Sequence, residues 1–176
     1  MNRQLLVVAA LFCLSPPAFS ASHGHGLVEV HGSIIDTACA ITTGDVDQGI
    51  DLGTLSASDL VGSGHGPQVP FTVHLINCSL EGATGLNTHH WKDVHITFDG
   101  VSDGERLFAL QGTAQGEGVM ILDSSGVSAE PGEPMPDTAI EPGSMALHYR
   151  LQIMSDHSPL RPGSFATTLR YFMEYE

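Results

Sequence analysis

The fourteen residues from Gly163 to Glu176 constrain the fold more than any other stretch. Phe165, Thr167, Leu169, Tyr171, Met173 and Tyr175 fall on one side of a two-residue period, with Ala166, Thr168, Arg170, Phe172, Glu174 and Glu176 on the other. Alternation of this kind, rich in β-branched and aromatic residues, predicts a strand with one face in a core. Pro162-Gly163 supplies the turn that starts it. A strand presents amide and carbonyl groups along both edges, and both edges need neighbours. An ordinary sandwich would continue with one more strand, whereas here the sequence ends inside this one.

The other end has the pattern of a secretory signal peptide. Arg3 gives a positive start, Leu5 to Leu14 is an apolar run, and Pro16-Pro17-Ala18-Phe19-Ser20 ends in small residues. The run is shorter than the roughly 20 residues needed to span a bilayer. Cleavage after Ser20 is expected, which makes residues 1–20 the signal peptide and starts the mature chain at Ala21. The remainder is one domain's worth of sequence. It is strongly acidic, because without Arg3 only five Lys or Arg stand against 20 Asp or Glu. Nucleic acid and anionic membranes are poor partners for such a surface.

An all-β fold follows from the rest of the chain. The full sequence holds 20 Gly and 10 Pro, and no long helical period interrupts a series of short alternating runs. These runs are Leu27 to Gly32, Val46 to Gly53 with Ile50 and Leu52 inward, Pro70 to Cys78, Val94 to Gly100, Gly118 to Asp123 and Gly143 to Met154. Cys13 departs with the signal peptide. The pair that remains, Cys39 and Cys78, is expected to form a disulfide in an exported protein. Closing a loop of that length stabilises a fold by roughly 4 kcal/mol on the chain-entropy model. Metal binding or nucleophilic chemistry at these cysteines is the alternative, but neither lies in a Cys-x-x-Cys pair or near a His-containing motif.

Taken together, these motifs resemble the chaperone-usher, type 1-like fimbrial pilins. The matching features are a Gly fourteen residues from the end, alternating apolar residues and the penultimate aromatic Tyr175. The order Gly26-x-Val28-x-Val30-x-Gly32-x-Ile34, then Ala38-Cys39-x-Ile41, is also similar to the opening of such subunits. The resemblance implies an incomplete immunoglobulin-like sandwich that lacks its last strand, spanning 32–176 and preceded by an N-terminal donor arm at 21–31. It further implies a groove covered first by a periplasmic chaperone and then, at an outer-membrane usher, by the arm of a neighbouring pilin subunit. Leu27, Val28 and Val30 would be the arm's apolar side chains. Gly163, Phe165, Leu169, Tyr171, Met173 and Tyr175 would form the accepting side. The destination would be a fimbrium on the cell surface, reached through the periplasm.

The arm departs from the family's alternation of large aliphatic residues, since positions 22 to 26 are Ser, His, Gly, His and Gly. Each missing Val-sized side chain forgoes about 1.5 kcal/mol of burial, so a minor or specialised subunit is expected rather than the bulk shaft. Ala21, Ser22 and His23 at a free amino terminus would also form a square-planar nitrogen set suited to Cu(II), weighed against a plain flexible arm. No cofactor is expected. His89-His90-Trp91-Lys92 reads as a loop feeding the strand at Val94, Gly62 to Pro67 as a linker without the Lys of a phosphate loop, and Ser128 to Pro142 as a solvated acidic connection. An adhesive module touching a host surface is the second function class. The third, a small exported enzyme such as a copper-zinc superoxide dismutase, needs a His-x-His inside a strand. The only one here, His23 and His25, lies in the arm, and no Gly-x-Ser-x-Gly occurs.

Overall fold

The computed structural model describes residues 26–30, 36–84, 87–104 and 106–176. The signal peptide, residues 21–25 with the Ala21, Ser22 and His23 nitrogen set, and Gly32 lie outside the described residues. Contacts divide the chain into a unit Met1–Ile34 and a compact unit Ile35–Glu176. In the first, Leu27, Val28 and Val30 are exposed and residues 26–30 form no strand, contrary to the strand expected from Leu27 onward. The physical reason is that strand geometry is held by pairing, and no ladder engages these residues.

The compact unit is built from β1 (Ala40–Ile41), a short helix α1 (Ala57–Ser63), β2 (His65–Cys78), β3 (Glu81–Thr84), β4 (Asn87–His90), β5 (Asp93–Asp99), β6 (Phe108–Ala109), β7 (Gln111–Gly112), β8 (Glu117–Asp123), β9 (Thr138–Ala139), β10 (Gly143–Ser155), β11 (Phe165–Ala166) and β12 (Arg170–Tyr175). One sheet has the order β1-β2-β10-β8-β6 and a second the order β12-β5-β9. All their ladders are antiparallel. Val73, Leu75, Val119, Ile121, Leu147, Tyr149 and Ile153 of the first sheet are buried, as are Val94, Ile96 and Phe98 of the second. Aromatic edges join the two layers. The Phe98 ring meets Tyr149 at 5.2 Å and Phe71 at 6.1 Å, both edge-on, an arrangement favoured over face-to-face stacking. The Cys39–Cys78 disulfide ties the residue before β1 to the last residue of β2.

Several local expectations are corrected. Gly62 to Pro67 is not a linker, because Gly64 caps α1 in the left-handed region, donating its N–H to the Leu60 carbonyl, and β2 begins at once with His65. His89 and His90 belong to the β3–β4 hairpin rather than a loop. Gly82 permits this, since a Cβ there would lie 2.3 Å from His89 Nε2 and 2.7 Å from Trp91 Nε1. The segment 128–142 is not simply solvated. Ala129, Met135 and Ile140 are buried, and the N–H groups of Gly132 and Met135 donate to the carbonyls of Phe98 and Ile96. This segment covers the edge of β5 that β12 leaves open. The single strand expected from Phe165 to the end is broken at residues 167–169, because β11 pairs with β7 while β12 pairs with β5.

Candidate assembly groove

β12 exchanges backbone hydrogen bonds with β5 over the register Arg170↔Asp99 to Tyr175↔Val94. Among the described residues, no strand pairs with its other edge. Facing that edge runs the segment Val46–Leu55. Ile50, Leu52 and Leu55 in it are half-buried, yet its backbone makes no backbone hydrogen bond with another described residue. The alternation read there is present, but the strand it predicts is missing for want of a partner. Two unpaired backbones thus border one opening, a groove of about 780 Å³. Its floor is apolar: Phe71, Phe98, Leu110, Val119, Ile121 and Leu151 line it beneath the two walls.

The wall on the C-terminal side holds four of the six residues expected to accept a donor, namely Gly163, Phe165, Leu169 and Tyr171. Met173 and Tyr175 continue along β12 beyond the lining and pack against the core. Tyr171, Met173 and Tyr175 are half-buried, whereas Arg170, Phe172 and Glu174 are exposed, so the period of two holds along β12. Local sequence explains how the wall is set. Gly163 allows close approach to the backbone of Thr113 and Ala114, where a Cβ would lie 2.4 Å from the Ala114 nitrogen. Thr113 and Ala114 both donate to the Ser164 carbonyl. Leu169 fits because Gly100 leaves room for it; a Cβ on Gly100 would come 2.7 Å from Leu169 Cδ2.

Two phenols bridge the gap between β12 and the start of the first sheet. Tyr171 Oη donates to the Asp45 carbonyl at 2.7 Å and Tyr175 Oη to the Cys39 carbonyl at 3.3 Å. Burial pushes both phenols above their ordinary pKa, with the Asp45 charge adding to the shift at Tyr171, so both remain donors at neutral pH. The floor residues Leu110 and Leu151 were not singled out in the sequence. Their signal is present only as membership in short apolar runs, and nothing local marks them as groove rather than core. The groove carries no nucleophile–base pair, and among the described residues no group of three or more His, Cys, Asp or Glu side chains could hold a metal ion. It offers hydrogen-bonding edges and apolar pockets, the requirements of an extended peptide.

The chain is similar to known fimbrial proteins. The chain is 31% identical over 152 residues to the PRS fimbrial minor pilin protein of Escherichia coli, covering 86% of this chain and 77% of that protein. It is 28% identical over 181 residues to the major MR/P fimbria protein of Proteus mirabilis (strain HI4320), covering 100% of this chain and 99% of that one. Its fold matches the P pilus rod subunit PapA with a TM-score of 0.69 at 21% identity, over 80% of this chain and 100% of PapA. No protein-family model matches the chain. The protein belongs to the chaperone-usher fimbrial pilin family. It is a structural pilin of a cell-surface fimbrium and not an enzyme, with the incomplete immunoglobulin-like sandwich of such subunits.

Proposed function

We propose that this pilin polymerises by donor-strand exchange, with the groove between Val46–Leu55 and Gly163–Tyr171 as the acceptor. The observation that carries the reading is the pair of unsatisfied backbone edges flanking an apolar floor. A strand inserted there would complete the sandwich, its main chain giving register and its alternate side chains entering the groove. Donor-strand complementation between chaperone and pilin is a named instance of β-strand addition. Residues 1–20 direct export, and a periplasmic chaperone fills the groove first. At the outer-membrane usher the arm at 21–31 of a neighbouring subunit replaces it, through Leu27, Val28 and Val30. The contact is head-to-tail and does not close on itself, which builds filaments.

The composition of the arm supports a minor or specialised place in the fibre. Only Leu27, Val28 and Val30 are bulky within 21–31, so the arm is a weak donor by apolar burial. The test is periplasmic expression with and without a matching chaperone. Alone, the mature chain is expected to be degraded or to aggregate, and with the chaperone to be recovered as a one-to-one complex. A stable soluble monomer obtained without a chaperone would refute the reading.

A further inference from the structure

On the outer face of the larger sheet, away from the groove floor, two imidazoles are exposed. The register pairs Thr72 with His148 and His74 with Ala146, so His74 and His148 project from the same face as diagonal cross-strand neighbours. Such neighbours lie about 7–8 Å apart at the backbone, within reach of long side chains. Each imidazole is anchored through Nδ1. His74 Nδ1 faces Asp45 Oδ2 at 2.8 Å, and His148 Nδ1 faces Thr72 Oγ1 at 3.1 Å. The Asp45 carboxylate is itself fixed by Thr42 Oγ1 at 2.7 Å and by the His74 backbone N–H at 2.6 Å.

A carboxylate on Nδ1 fixes the tautomer with the proton on that nitrogen, leaving the Nε2 lone pair outward. Among the described residues neither Nε2 has a hydrogen-bond partner, and Arg150, two residues beyond His148, is turned toward Gln68 and the Asp123 carbonyl. We propose that His74 and His148 form a surface site for a divalent transition-metal ion of the Zn²⁺ or Cu²⁺ class. Imidazole nitrogen is a preferred ligand for both ions. Asp45 orients His74 as an outer carboxylate, and water completes the coordination. Because one ligand comes from β2 and the other from β10, bound metal cross-links the two longest strands of the sandwich.

Zn²⁺ is the probe of choice, since a square-planar amino-terminal nitrogen set at Ala21, Ser22 and His23 suits Cu(II) and Ni(II) instead. The full mature chain, purified from the periplasm with any bound partner retained, is titrated with ZnCl₂ calorimetrically and then melted with and without Zn²⁺. The expected result is one Zn²⁺ equivalent in the natural protein that disappears in both His74→Ala and His148→Ala, together with a Zn²⁺-dependent rise in Tm lost in the same variants. Asp45→Asn is expected to weaken that equivalent by roughly 10- to 100-fold, the usual effect of removing an outer carboxylate. Identical Zn²⁺ uptake and melting in the natural protein and both histidine variants would overturn the site and assign any uptake to other histidines. Absence of binding below millimolar Zn²⁺ would overturn it as well.

Discussion

The phenolic oxygen of Tyr171 donates to the backbone carbonyl of Asp45 at 2.7 Å, joining residues 126 apart in sequence. Asp45 lies just after β1 and Tyr171 in β12, so the bond spans the side of the sandwich on which β12 has no strand neighbour among the described residues. Asp45 is held from its side chain too, through Thr42 and His74. A neutral hydrogen bond of this kind contributes about 1 kcal/mol net. Tyr171→Phe keeps the ring against Phe98, 6.3 Å away, and removes only the hydroxyl. The expected loss is therefore about 1 kcal/mol, read as a lower denaturation temperature of the proposed chaperone complex. An unchanged melt would mean that the bridge contributes nothing.

Glu117 opens β8 on the same inward parity as Val119 and Ile121. It is 7% exposed, and its Oε2 has no hydrogen-bond partner. Burial raises its pKa above 4.5, with the charges of Asp156 and then Asp103 adding to the effect. A carboxyl whose folded pKa lies above its unfolded value favours folding while protonated, and that contribution is lost as pH rises through the folded value. The fold should therefore lose stability from about pH 4.5 upward on account of this group. Glu117→Gln keeps the shape without the charge and should raise Tm at pH 7 while leaving the melt at pH 4 nearly unchanged. Equal shifts at both pH values would remove ionisation as the cause.

Gly163 touches backbone rather than a flexible side chain. A methyl group there would meet the Ala114 nitrogen at 2.4 Å and the Thr113 carbonyl carbon at 2.5 Å, and neither can move without breaking the bonds to Ser164. Gly163→Ala is expected to destabilise the domain by about 1–3 kcal/mol, the usual cost of overpacking. Gly44→Ala is the matched control, because nothing lies within 4 Å of its added methyl. Urea denaturation of the two variants in the same proposed complex makes the comparison, and equal midpoints would contradict the close approach at Gly163.

How much of this was legible in the sequence depended on whether the information was local. The burial alternation of Tyr171, Met173 and Tyr175, the inward Ile50 and Leu52, and the Cys39–Cys78 link could each be read from spacing and residue type. The break between β11 and β12 could not, because it arises from a change of partner strand, from β7 to β5. The helix at Ala57–Ser63 is only seven residues long, too short for periodicity to reveal against its glycines. The acidic stretch after Ser128 reads as solvated on average, and averaging hides Met135 and Ile140, the few side chains that fasten it to the edge of β5. Leu110, Val119, Ile121 and Leu151 are ordinary core residues by type. What makes them a groove floor is that no strand among the described residues lies above them, a property of the fold rather than of the residues.

Along β12 neighbouring side chains have opposite environments, which separates a groove effect from general damage to the strand. Tyr175 is half-buried, donates to the Cys39 carbonyl and meets the Trp91 ring edge-on at 6.0 Å. Phe172 is 51% exposed on the opposite face. Truncating a fully buried aromatic costs about 3–5 kcal/mol, and the half-buried Tyr175 forgoes part of that, still a sizeable share of a domain's roughly 5–15 kcal/mol. Tyr175→Ala is therefore expected to abolish recovery of the chaperone complex while signal cleavage and export continue. Phe172→Ala should leave the yield near that of the natural protein, and Tyr175→Phe should retain most of it because the ring still packs. Pull-down yields from periplasmic extracts, normalised to processed protein, decide the matter. If Tyr175→Ala and Phe172→Ala behave alike, the inward face of β12 has no special part in holding the partner strand.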